Sequence, residues 1–177
     1  MTNYNENYDG LYRPEFEKDA CGIGFVAHMN GQKSHRTIQD ALTMLENMEH
    51  RGAVGSEINT GDGAGILIQI PHEYYKNEAY KIGFELPQAG KYGTGFIFFP
   101  QDADKRKECK AFIEQTATKL NFSILGYRKI NTDNSPIGPT AKSAEPVVEQ
   151  LFIKPNFDFK EDIELERKLY VLRAHTV

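Results

Sequence analysis

The chain has 177 residues, with 21 basic against 25 acidic side chains, a formal net charge of −4 and a pI near 5.8. A hydrophobic share of 40% with 26% charged residues belongs to a folded domain, or part of one, and not to a disordered chain. The acidic balance argues against nucleic acid or an anionic membrane as the main partner. The longest apolar stretches, Gly63 to Ile70 and Gly95 to Pro100, are far too short to span a bilayer.

Met1 to Ala20 is polar, with Tyr4, Tyr8, Leu11, Tyr12 and Phe16 at no regular period. It lacks the apolar run of a secretory signal. Its acids (Glu6, Asp9, Glu15, Glu17, Asp19) outnumber Arg13 and Lys18, the wrong balance for a transit peptide. It reads as an extended leader. Regular structure is expected to begin at Cys21, with Cys21 to Met29 a buried strand ended by Asn30-Gly31. Ser34 is a candidate N-cap for a helix that places Ile38, Ala41, Leu42 and Leu45 on one face and fades near Gly52.

Ala64 to Ile70 reads as a strand stopped by Pro71, followed by a short helix over Glu73 to Lys81 and a strand over Tyr92 to Phe99. Asp102 to Leu120 has the period of a helix that turns Cys109, Phe112, Ile113 and Thr116 to a core. Phe122 to Ile130 reads as a strand, Asn131 to Pro146 as a long loop, and Val147 to Ile153 as a further strand. From Asp162 the tail is helical through Leu165, Leu169 and Leu172, with Glu164 and Lys168 spaced as an i, i+4 pair. Helices and strands are mixed, and periodicity alone does not choose between a doubly wound sheet and a sandwich of sheets.

The two cysteines, Cys21 and Cys109, form no Cys-x-x-Cys pair, which excludes a cysteine-only zinc or iron–sulfur site within this chain. The five histidines have no metal-ligand spacing, so no metal site is expected. So few cysteines fit a reduced, cytoplasmic setting.

Three stretches are richer in glycine and polar side chains than folding requires. In Cys21-Gly22-Ile23-Gly24-Phe25 a thiol opens a strand with little bulk beside it, although a free cysteine is ordinarily a small buried hydrophobe. In Glu49-His50-Arg51-Gly52-Ala53 a guanidinium meets a permissive backbone; the plainer reading is a helix C-terminus capped by a left-handed Gly52. Asn59-Thr60-Gly61-Asp62-Gly63-Ala64-Gly65 places three glycines at alternate positions, where a ligand or another backbone can come close. It is not a phosphate loop, since no Gly-Lys follows at the required spacing, and a simple glycine-rich turn is the alternative.

In this order the three stretches resemble the start of the class II glutamine amidotransferase domain of glutamate synthase large subunits. Asp133-Asn134-Ser135, Gly138-Pro139-Thr140-Ala141, Glu145 to Gln150 and the Arg-Lys-Leu-Tyr-Val-Leu-Arg ending resemble the same family. Cysteine–glycine openings and His-Arg-Gly also occur in purine-pathway amidotransferases and asparagine synthetases; the Gly-Asp-Gly-Ala-Gly stretch favours glutamate synthase.

The resemblance implies an α+β, N-terminal-nucleophile hydrolase fold: a four-layer αββα sandwich with two antiparallel sheets between helical layers, incomplete in this chain. It implies a propeptide over residues 1–20 and the N-terminal portion of the amidotransferase domain over 21–177. Cys21 would be the nucleophile, with Arg51 and Gly52 lining its site; His50 and Asp62 read as solvated or turn-capping. The implied reaction is hydrolysis of glutamine through a cysteinyl thioester, supplying ammonia for reductive amination of 2-oxoglutarate to glutamate.

An FMN and an iron–sulfur cluster are implied for the whole enzyme, outside this chain, which carries no cofactor of its own. Implied partners are glutamine, the other domains of the large subunit, and a small electron-donating subunit or ferredoxin. The family's oxyanion-hole Asn-Gly and substrate-carboxylate arginine lie in later stretches that nothing here matches. Losing one oxyanion donor costs on the order of 10²–10³ in rate, so these residues alone are expected to be close to inactive. Strand faces from Phe96 to Phe99 and Val147 to Ile153 are expected to stand partly exposed. The alternatives are another class II enzyme, such as the purine-pathway phosphoribosyl amidotransferase, or a non-catalytic interaction domain of this fold.

Overall fold

A computed structural model describes residues 22–49, 52, 57, 59–61 and 63–176. The chain divides into two compact units, Met1–Ile68 and Gln69–Val177.

In the first unit the described structure centres on helix α1 (His35–Asn47). Ser34 begins it as foreseen: its extended backbone turns into the helix and its hydroxyl accepts from the Arg36 N–H at 3.1 Å. The half-buried side holds Ile38, Ala41, Met44, Leu45 and Met48, while Leu42 stands out. The helix ends at Met48, whose N–H donates to Leu45 O. Gly52 is therefore not its cap.

The expected strands over 21–29 and 64–70 are not present: Gly22–His28 and Gly63–Ile70 are irregular, and Cys21 lies outside the described residues. Ile23, Phe25 and Leu67 are fully or almost fully exposed. A strand exists only through a neighbour's hydrogen bonds, and among the described residues no segment supplies them. The turn after the first segment is as expected, with Gly31 in the left-handed region (φ 66°) and its N–H donating to His28 O at 2.9 Å.

The second unit contains α2 (His72–Lys81), β1 (Gly93–Phe99), α3 (Ala103–Lys119), β2 (Phe122–Lys129), α4 (Pro139–Ala144), β3 (Val147–Pro155) and α5 (Asp162–Thr176). The strands form one antiparallel sheet in the order β1-β3-β2. The central strand β3 is buried on both faces over Glu149 to Ile153, its apolar residues joined there by the polar Glu149 and Gln150. On one face Leu151 and Ile153 meet Phe99, Phe122, Ile113 and Ala117 of α3, and Leu165 and Leu172 of α5. The absent side chain of Gly93 lets α5 close on β1; a methyl there would lie 2.6 Å from Leu169 Cδ2.

On the other face Phe152 packs on Tyr75 and Ala79 of α2 and on Phe84, Leu86 and Tyr92. That face carries a polar chain. The Arg128 Nε donates to Gln150 Oε1 at 3.0 Å, and its second nitrogen donates to Tyr74 OH and Glu78 Oε2 of α2 at 3.0 and 3.1 Å. Gln150, fully buried, donates in turn to Thr94 Oγ1. Hydrogen bonds from Lys81 and Arg128 hold the Glu78 carboxyl below the ordinary carboxylate range.

Three expectations are corrected here. Asn131 to Pro146 is not wholly a loop, because Pro139 starts α4, its missing N–H costing nothing at a helix's first turn. Lys168 does not need Glu164, since its ammonium sits 3.7 Å from the centre of the Phe157 ring. Val147 to Ile153 is not an exposed face: Glu149 to Ile153 are buried, whereas Phe96 and Phe98 do stand out, at 53% and 68% exposure.

Candidate functional site

Of the residues expected to act, Cys21, Arg51, His50 and Asp62 lie outside the described residues. What the structure shows is the framework between them. Three residues past Cys21, the backbone at Gly24 lies directly on Met44 of α1; a methyl built on Gly24 would be 2.5 Å from the Met44 sulfur. Past the other end of the same helix, the Gly52 N–H donates to Glu49 O at 3.0 Å and closes a separate tight turn. A methyl at Gly52 would press to 3.3 Å on that carbonyl, so the turn favours a residue with no side chain.

The Asn-Thr-Gly-Asp-Gly stretch is anchored at its start. Both the N–H and the hydroxyl of Thr60 donate to Glu57, to its carbonyl at 3.0 Å and to its carboxylate at 3.2 Å. Gly63 and Gly65 have no heavy atom within 4 Å of where a methyl would stand, so among the described residues no packing contact demands glycine there. Sequence reasoning missed Met44 and Glu57. The second carried a signal: a carboxylate three residues before a threonine is a familiar turn clasp.

In the second unit, the Asp133-to-Glu145 motif has a structural explanation. The Glu145 carboxylate accepts from Thr132 Oγ1 at 3.0 Å and Asn134 Nδ2 at 2.7 Å, and its carbonyl accepts from Gln101 Nε2 at 2.8 Å. The two ends of the segment are thereby latched together. Backbone and side-chain hydrogen bonds from Ser135 keep the Asp133 carboxyl below its ordinary range.

Cys109 is not a core residue. Helix α3 turns Ile113 and Thr116 inward as expected, and Ala117 with them, while Cys109 and Phe112 stand exposed. Lys110 of the same helix reaches the sheet, its ammonium 2.6 Å from the Glu149 carboxylate and 4.5 Å from the Tyr127 ring centre. Burial, with the Glu114 and Glu149 charges nearby, drives the Tyr127 phenol well above its ordinary range. Cys109 is exposed at a shallow cavity of about 370 Å³ with Phe98, Phe112, Ile113 and Thr176. In native buffer a general alkylating agent should therefore modify Cys109, as peptide mass mapping would reveal. Cys109→Ala should change stability by no more than about 0.5 kcal/mol, as surface substitutions do. A Cys109 protected until the protein is denatured would contradict its placement.

No group of three or more His, Cys, Asp or Glu side chains among the described residues is arranged to hold a metal ion. Among the same residues, no helix is long and apolar enough to cross a membrane.

The Gly24 segment thus lies on α1, with a separate glycine turn beyond that helix. Residues 21–177 match the profile of the class-II glutamine amidotransferases, and the chain belongs to that family. Within it, the chain is 43% identical over 164 residues to the glutamate synthase [NADPH] large chain of Bacillus subtilis, covering 93% of this chain and 11% of that one. It is 42% identical over 171 residues to the glutamate synthase [NADH] of Schizosaccharomyces pombe, covering 94% of this chain and 8% of that one. It is 32% identical over 173 residues to the ferredoxin-dependent glutamate synthase 2 of Synechocystis, covering 98% and 11%. The chain thus spans 11% or less of the length of these relatives.

Proposed function

We propose that this chain is the N-terminal portion of the glutaminase part of a glutamate synthase, with residues 1–20 a propeptide and Cys21 the nucleophile. The observation that carries the reading is the family match, which starts at Cys21 and leaves the leader outside. Removing the leader would give Cys21 a free α-amine. That amine titrates near pKa 7.7–8.0 and a thiol near 8.5, so the amine can accept the thiol proton at a cost of about 1 kcal/mol or less. While the leader is attached, the same nitrogen is an amide and has no basicity. One residue then supplies both base and nucleophile.

The thiolate adds to the side-chain carbonyl of glutamine, and the tetrahedral intermediate collapses to a thioester. The nitrogen leaves as ammonia, taking its third hydrogen from the protonated α-amine. Water, giving its proton back to that amine, attacks the thioester and releases glutamate and the free thiol. Arg51 and Gly52 would line this site through side chain and backbone.

In the whole protein, the ammonia serves reductive amination of 2-oxoglutarate. The FMN and the iron–sulfur cluster for that step would lie in other domains, since two cysteines cannot supply the four thiolates of a cluster. Electrons would come from a small subunit or from ferredoxin, and the setting would be cytoplasmic. The three-stranded sheet would be part of one layer of a four-layer αββα sandwich.

The test is mass spectrometry of the full-length protein. The mature species is expected to begin at Cys21. An intact leader on an enzyme with full glutaminase activity would remove the amine-as-base mechanism.

A further inference from the structure

We propose that the Asn30–Gly31 turn is a site of spontaneous covalent modification, at which Asn30 loses its side-chain amide and becomes aspartate or isoaspartate. The inference does not depend on the glutaminase reading. The Gly31 backbone nitrogen attacks the Asn30 side-chain carbonyl carbon. A bond forms between Gly31 N and Asn30 Cγ, and the Cγ–Nδ2 bond breaks. The proton shed by the Gly31 nitrogen balances the one gained by the departing ammonia. Water then opens the cyclic imide at either of its carbon–nitrogen bonds. Opening at Cγ leaves aspartate; opening at the main-chain carbonyl leaves isoaspartate, with the backbone lengthened by a methylene carbon. Both products add a negative charge to the turn that leads into α1.

The geometry meets what the ring closure needs. Both residues are exposed. Gly31 has no Cβ to block the approach, its φ of 66° lies in the left-handed region, and no heavy atom lies within 4 Å of where a methyl would stand. The Asn30 side chain makes no hydrogen bond among the described residues; its backbone N–H alone is engaged, donating to His28 Nδ1 at 3.3 Å. The attacking nitrogen is tied by the bond from the Gly31 N–H to His28 O, at 2.9 Å. An exposed hydrogen bond of this kind favours the closed turn by about tenfold at most. It slows the reaction without preventing it.

Other asparagines are held away from this chemistry. No other asparagine in the chain precedes a glycine. Asn134 gives its side-chain amide to Glu145 at 2.7 Å, and the next N–H, that of Ser135, donates to Asp133 Oδ1 at 2.9 Å. Asn121 Nδ2 donates to Asn156 O, while Asn156 exchanges hydrogen bonds with the Ser123 hydroxyl through both ends of its amide. Each of these side chains must first give up a partner before its carbonyl carbon can be reached.

The test incubates the full-length protein in neutral buffer at physiological temperature and follows every asparagine by peptide mass mapping. Isoaspartate is read by methylation with a protein isoaspartyl methyltransferase. The Asn30 peptide should show the amide-to-acid mass gain before those of Asn121, Asn134 and Asn156, and should become a methyl acceptor. Asn30→Gln should remove both signals, because its longer side chain closes a less favourable ring. A synthetic peptide spanning His28 to His35 lacks the folded turn and should convert no more than about tenfold faster than the protein. A wider gap would mean that the turn protects Asn30 and would overturn the proposal. So would an Asn30 that stays intact, or an earlier conversion at Asn121, Asn134 or Asn156.

Discussion

Replacing Cys21 by alanine in the full-length protein is expected to abolish glutamine-dependent synthesis while sparing synthesis from free ammonia. In the proposed reaction the thiol acts only on glutamine, and ammonia added to the medium bypasses that step. Removal of a nucleophile that works as a unit with its base has cost on the order of 10⁶ in kcat in a well-dissected protease. The glutamine-dependent rate should therefore fall below about 10⁻³ of the original. Parallel assays with the two nitrogen donors decide the matter. Loss of both activities would mean that Cys21 supports the structure, and retention of both would mean that another group attacks glutamine. Within these 177 residues the other thiol is Cys109, which stands exposed on α3.

Phe152→Ala is expected to be the most damaging single truncation in the second unit. Phe152 is fully buried at the centre of β3, with the Tyr75 and Phe84 rings at 5.6 and 5.5 Å and Ala79 of α2 beside it. Deleting a buried phenylalanine to alanine costs about 3–5 kcal/mol, against a total of about 5–15 kcal/mol for a whole domain. The loss should loosen α2 first, since Phe152 is its main anchor on that face. Hydrogen exchange in the full-length protein should show the amides of α2 and of β1, β3 and β2 losing protection together. A loss of less than about 1 kcal/mol would mean that the Arg128–Glu78–Tyr74 hydrogen bonds, and not the aromatic cluster, hold α2 on the sheet.

What the sequence determined by itself was local. The caps Ser34 and Asp102 each bond an N–H of their own helix, so the starts of α1 and α3 were legible. Four of the five helices and all three strands of the second unit fell where period and proline placed them; α4 alone was read as loop. The family was legible as well, because its motifs are contiguous runs of residues. Helices satisfy their backbone within a few residues, and motifs need no partner to be recognised.

Only tertiary structure decided the rest. Gly22–His28 and Gly63–Ile70 have strand-like composition but no strand, because pairing depends on a neighbour that the local pattern does not contain. The inward face of α3 was set by what it packs on, with Ile113 beside Phe99 and Leu151 and Ala117 beside Phe122 and Ile153, and it leaves Cys109 outward. The order β1-β3-β2 puts at the centre the strand whose residues Glu149 to Ile153 are buried, although that strand carries two charged residues and the edge strand β1 carries none. The contact of Gly24 with Met44 joins residues 20 apart across a turn, and neither residue carries any mark of it in its immediate surroundings. Side-chain period reports which residues avoid water; which partner they meet is settled only when segments distant in the chain compete for the same surface.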